Sequence, residues 1–158
     1  MVPPVNRIGS ASAPGPRALR SLARSLVAWY EGAARDLPWR RTRDPYAIWV
    51  SEVMLQQTRV EVVSGRWAEF LRRFPDLPSL ARADQADVLA AWAGLGYYRR
   101  ARQLHAAAQR VVDVHGESLP SDAAALRLLP GFGAYTAGAV ASIAFGEAVP
   151  AIDGNVLL

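Results

Sequence analysis

With 158 residues, 51% of them hydrophobic, and a formal charge of +4, the chain can bury one sizeable core and has none of the composition of a disordered or fibrous protein. Every basic residue is Arg, so no lysine amine is available for a Schiff base, and the Arg surplus favours a polyanionic partner. No Cys is present, which excludes disulfides, thiolate zinc sites and cysteine-held iron–sulfur clusters within this sequence.

Helix formers dominate and alternating β-branched stretches are scarce, so the class is all-α, a single domain of six or so helices without internal repeats. Residues 1–16 carry four Pro and no apolar periodicity, and read as a flexible tail. They lack the apolar centre of a signal peptide, and no run approaches the ~20 apolar residues of a membrane span, which points to the cytoplasm and away from a membrane. From Arg17, Leu19, Leu22, Leu26, Val27, Trp29 and Tyr30 recur at helical spacing up to about Gly32, an apolar face that needs a partner. Trp39 with Arg40, Arg41 and Arg43 then forms either a solvated basic loop or a contact surface for phosphates and bases.

Asp44-Pro45 starts a helix that runs to about Gln57. It is mostly apolar but carries Glu52 among Ile48, Trp49, Met54 and Leu55. That carboxyl is either an exposed surface group or, facing a cleft, one whose pKa desolvation raises until it can donate a proton near neutral pH. Thr58 is expected to cap the next helix, with Val60, Val63, Trp67, Phe70 and Leu71 inward and Phe74-Pro75 at its end. Asp84 and Asp87 frame a short helix over Val88, Leu89 and Trp92. The Gly94-to-Tyr98 loop, followed by Arg99, Arg100 and Arg102, could push a ring into a base stack while the guanidiniums hold phosphates, or be a structural turn with buried Tyr. Arg102 to Val114 is a further amphipathic helix stopped by His115-Gly116, and His105 and His115 read as structural.

Ser121 is expected to cap a helix that Pro130, Gly131 and Gly133 must end, and Tyr135 to Phe145 returns to helical sequence closed by Gly146. The segment is helix, tight turn, helix at about 122–145. Glycines at 131 and 133 allow positive φ and close backbone approach, and the amides opening the second helix suit an anion. An ordinary αα-hairpin uses the same residues, so spacing alone leaves both readings open.

SEVMLQQT (51–58), GLGYYRRAR (94–102), LPGFGAYTAGAV (129–140) and IDGNV (152–156) together resemble the MutY-type adenine DNA glycosylases of the helix-hairpin-helix base-excision superfamily, in order and spacing, from about Leu37 to Val156. The resemblance implies a helix-hairpin-helix DNA glycosylase fold and hydrolysis of the N-glycosidic bond of adenine mispaired with 8-oxoguanine or guanine. It further implies Glu52 as general acid, Asp153 as the transition-state carboxylate, and Tyr135 and Asn155 as their helpers. Gln57 and Tyr97 would wedge the duplex, and Gln56, Arg99, Gly131, Gly133, Ala134 and Thr136 would also contact DNA. Trp39, Arg40, Leu55 and Val60 would line the adenine pocket. Endonuclease III-like relatives place a Lys where Tyr135 stands, so this chain is expected to be monofunctional, without strand cleavage.

The family also carries a four-cysteine 4Fe-4S domain and a domain that reads 8-oxoguanine. Neither is in this sequence, which therefore resembles an amino-terminal portion, with residues 17–158 as a helical domain incomplete at its carboxy-terminal end. The expected setting is a monomer on double-stranded DNA in the bacterial cytoplasm, at the nucleoid. A module that binds DNA without catalysis is the rival reading.

Overall fold

The computed structural model describes residues 14–153, in which all regular structure is helical: eight α-helices and one 3-10 turn. The chain divides into two compact units, Met1–Asp36 and Leu37–Leu158. The first holds α1 (Pro16–Ala33), which starts on Pro16, where the fixed φ suits a first turn and the missing N–H is not needed; none of its residues is buried. Of the tail expected over 1–16, residues 1–13 lie outside the described residues.

The second unit is built on α2 (Pro45–Leu55). Asp44 caps it as expected, its Oδ1 accepting from the Tyr46 amide at 3.1 Å, and Pro45 opens its first turn. Every residue from Tyr46 to Met54 is buried, because the helix has no polar face to turn to water. Three helices surround it: α3 (Val60–Arg73), α6 (Arg99–His115) and α8 (Ala134–Phe145). The small residues of α8, from Ala137 to Ala141, let the two backbones approach closely, while Trp49 of α2 stacks on Phe132 with centroids 5.1 Å apart. Phe70 meets Trp92 edge to face at 5.8 Å on the other side. Burying each such ring contributes ~1.5–3 kcal/mol.

The structure departs from the sequence expectation at several helix ends. A helix not foreseen, α4 (Leu77–Arg82), follows Pro75; Asp76 caps it through the Ser79 amide at 2.7 Å, and Pro78 sits in the first turn, where no N–H is missed. The short α5 (Gln85–Ala91) forms where expected. Instead of starting at Arg102, α6 begins at Arg99. Asp122, not Ser121, caps α7 (Ala123–Leu126), accepting from the Ala125 amide at 2.8 Å. Thr58 caps nothing: Arg59 is the N-cap of α3, and the Thr58 hydroxyl is engaged elsewhere. Similarly α2 stops at Leu55, since Gln57 lies in the left-handed region with φ 55°.

Candidate active site and nucleic-acid interface

Glu52 leaves the last full turn of α2 with only 8% of its surface exposed, and that remnant opens into a cavity of about 720 Å³. The opposite wall is the hairpin and first turn of α8. Gly131 takes φ +76° in the hairpin, and a Cβ there would meet the Gln103 Cβ at 2.8 Å, so this position needs glycine twice over. Gly133 is different: at φ −77° and ψ 174° it is an ordinary extended N-cap, and the positive φ expected of it is absent. Ala137 donates to the Gly133 carbonyl at 3.0 Å as the first closing bond, so the amides of Ala134, Tyr135 and Thr136 precede the intrahelical ladder at the positive end of the helix dipole. They are the natural seat for a phosphate oxygen. The Thr136 hydroxyl accepts from Gln56 Nε2 at 3.1 Å, which fixes the hairpin to the end of α2.

The cavity gathers residues that lie far apart in the chain. Glu52, Leu55, Gln56, Gln57, Tyr97, Arg99, Gly131, Gly133, Ala134, Tyr135, Thr136 and Asp153 all line it. Of the side chains assigned to the adenine pocket only Leu55 does so. Trp39 is buried edge to face against Trp67 at 6.1 Å, Val60 packs partly buried on the core, and Arg40 is exposed. Asn155 lies outside the described residues. The sequence reading missed Gln103 and Ile152 as lining residues, and left Arg100, which also lines the cavity, open between a phosphate contact and part of a structural turn. Arg100 is buried at 7% exposure. It shares the inward face of α6 with Leu104, Ala107 and Val111, a helical spacing that was available in the sequence.

Burial pushes the Glu52 carboxyl above its ordinary value of 4.5, and a hydrogen bond from the Tyr135 hydroxyl pulls it partly back. Tyr135 is in turn pushed up to about 12, first by burial and then by the negative charges of Glu52 and Asp153. Tyr135 therefore keeps its proton and donates to Glu52. The arrangement sets a carboxyl suited to carry a proton beside a second carboxylate in the same cleft.

A second cavity, of about 330 Å³, lies among Asp44, Asp76, Glu117, Pro75, Pro78 and Phe145. Its carboxylates would repel a phosphate. Among the described residues no cluster of His, Cys, Asp and Glu could hold a metal ion, and without Cys the residues present do not fit an iron–sulfur cluster. No described helix is long and apolar enough to cross a membrane.

A helical fold that aims helix-start amides and a buried carboxyl into one cleft has the parts to receive a phosphate beside a group able to donate a proton. Residues 50–157 match the model of the HhH-GPD superfamily of base excision DNA repair proteins, and the chain belongs to that superfamily. Its sequence is 50% identical over 141 residues to an adenine DNA glycosylase of Homo sapiens, covering 84% of this chain and 26% of that protein. It is 45% identical over 146 residues to an adenine DNA glycosylase of Mycobacterium tuberculosis, covering 92% of this chain and 47% of that protein. The chain thus spans about a quarter to a half of these relatives. A thermostable thymine-DNA glycosylase superposes with TM-score 0.81 and 28% identity over 88% of this chain and 64% of that one. Endonuclease III in a non-covalent DNA complex superposes with TM-score 0.75 and 21% identity over 91% of this chain and 66% of its own, a likeness of fold. The expected helix-hairpin-helix glycosylase fold is the observed one.

Proposed function

We propose that this chain is the helical catalytic portion of a monofunctional adenine DNA glycosylase acting on adenine opposite 8-oxoguanine or guanine. The observation that carries the reading is the pairing of Glu52, buried, raised and bonded to Tyr135, with Asp153 in a cleft rimmed by the α8 amides. The names of the adenine DNA glycosylase relatives support the choice of base. The rest of the reading follows from the resemblance: Asn155 assists the carboxylates, Leu55, which lines the cleft, meets the purine, and the protein works as a monomer at the nucleoid.

Adenine inside a duplex is out of reach, so the nucleotide turns out of the stack while the hairpin amides and Arg99 hold the backbone, with Gln57 and Tyr97 entering the gap. Glu52 donates its proton to N7 as the C1′–N9 bond breaks, and the bonding pair leaves with the base. Positive charge grows on the sugar, and the Asp153 carboxylate faces it. Water then adds its oxygen to C1′ and loses a proton, leaving an abasic site. Tyr135 cannot form the imine that leads to strand cleavage, and no Lys exists to do so.

Single-turnover incubation with A:8-oxoguanine and A:G duplexes tests this directly. Free adenine should appear, the abasic strand should stay intact, and borohydride should trap no hairpin-dependent adduct. Binding without release of any base would identify a non-catalytic DNA-binding module, and a trapped adduct would identify a glycosylase-lyase. Because the contacts are Arg side chains and backbone amides on phosphate, affinity for duplex DNA should fall about tenfold or more between ~50 and ~200 mM salt. A titration showing equal affinity at both salt concentrations would refute the phosphate clamp.

A further inference from the structure

Arg100 lines the cleft but is almost wholly buried in its wall, with 7% of its surface exposed. Its Nη1 donates to the carbonyls of Val53 and Met54, both at 2.9 Å, and to that of Gln56. Its Nη2 donates to the carbonyls of Leu95 at 2.9 Å and Gly96 at 3.2 Å, and to Thr58 Oγ1 at 2.9 Å. The first set belongs to the end of α2, where the last carbonyls have no intrahelical donor and the dipole is negative. Leu95 and Gly96 belong to the loop entering α6. One planar guanidinium thus joins two segments some forty residues apart through carbonyls and a hydroxyl. Its Nε is buried with no hydrogen-bond partner, a cost to stability that an apolar residue would avoid.

Each tied segment carries a residue in a rarely populated conformation. Gln57 has φ 55° and Tyr97 has φ 44°, and these are the non-glycine residues with positive φ among the described residues. Such conformations persist only where the surroundings hold them. Gln57 directly follows Gln56 and Tyr97 directly follows Gly96, so the peptide entering each strained residue has its carbonyl on the same guanidinium. Both side chains line the cleft, and Tyr97 is 64% exposed with its ring 5.8 Å from Arg100 Cζ.

We infer that Arg100 is a positioning residue that locks Gln57 and Tyr97 into one rigid two-pronged wedge before DNA arrives. The inference rests on the glycosylase reading above. A wedge ordered in advance loses no conformational freedom when it enters the base stack, so its benefit falls on extrusion of the base and not on bond cleavage. Lysine keeps the charge but cannot span both sets of carbonyls.

The test compares the full chain with Arg100→Lys and with Thr58→Val, which removes one acceptor and leaves the guanidinium in place. Adenine release is timed on adenine opposite 8-oxoguanine and on adenine opposite an abasic analogue, where the base is already unpaired. Arg100→Lys should slow release about tenfold or more on the paired substrate and less than about threefold on the unpaired one, with Thr58→Val shifting the ratio in the same sense. Equal slowing on both substrates, or none on either, overturns the inference. Should Arg100→Lys fail to fold, the ratio for Thr58→Val decides. Should the parent release no adenine, the glycosylase reading falls, and the wedge is judged alone by 2-aminopurine fluorescence in the bound duplex. Brightening by the parent that both variants lose supports it, and brightening that they keep, or none by the parent, overturns it.

Discussion

Glu52→Gln is expected to abolish adenine release, by ~100-fold or more, and at the same time to make the protein more stable at neutral pH. Both effects come from one buried carboxyl at 8% exposure. Its folded pKa lies above the ordinary 4.5, so the folded state binds the proton more tightly than the unfolded chain does. Below that ordinary value both states are protonated and no penalty exists. As pH rises through it the unfolded chain ionises first, and the penalty on the folded state grows until the folded carboxyl has ionised as well, each unit of displacement costing ~1.4 kcal/mol. Glutamine keeps the shape, cannot donate an acidic proton and carries no charge. The melting temperature of Glu52→Gln should therefore exceed that of the parent at about pH 7.5 and match it at about pH 4, each relieved kcal/mol being worth ~2–4 °C. Release by the parent should decline as pH rises through the folded pKa of Glu52. Asp153→Asn should also abolish release, since it removes the charge that faces the sugar. Release at the parental rate by either variant would withdraw that residue from the mechanism.

Local chemistry made some of this legible in the sequence. Asp44-Pro45 and Gly146 bound their helices as read, because a cap needs only the residue and its immediate neighbours. Two other caps were misassigned by one residue, at Ser121 and Thr58, where adjacent polar or basic groups compete and tertiary contacts choose between them. No helix was read between Phe74-Pro75 and Asp84, although Asp76 is a good cap and a proline such as Pro78 costs nothing in a first turn, so α4 went unforeseen. For Arg100 the sequence left a phosphate contact and a structural turn both open, although its place on the inward stripe of α6 favours burial. Positive φ at Gln57 and Tyr97 could not be read at all, since only contacts from elsewhere in the chain hold a non-glycine residue there. The meeting of Glu52, Tyr135 and Asp153 is tertiary too, and in the sequence only the family resemblance brought them together.

Gly138→Ala is expected to lower the rate of adenine release by about a hundredfold while leaving mispair binding within a few-fold of the parent. The residue touches no part of the cleft. It lies on α8, one turn beyond Ala134, where the chain segment leaving the helix crosses back over it, and a Cβ there would stand 2.3 Å from the carbonyl oxygen of Pro150 and 3.4 Å from the Ala151 Cα. Real side chains do not approach backbone so closely, and neither partner is a flexible side-chain end. One of the two elements must move. Thr136, Ala137, Ala139, Val140 and Ala141 are buried around Gly138, so α8 is packed on α2 and cannot retreat without opening the core. The crossing segment is exposed at Pro150 and Ala151 and gives way first. Asp153 is three residues further on, and a displacement of ~1 Å at a catalytic carboxylate is enough for a loss of about a hundredfold. The hairpin amides open α8, which stays packed on α2, and Arg99 opens α6; neither belongs to the segment that moves, which is why binding survives. Measuring single-turnover release and mispair affinity on the same preparation separates the two terms. An unchanged rate would show that the segment from Pro150 to Asp153 yields without carrying its carboxylate along, and affinity lost in step with rate would place the damage in the hairpin instead.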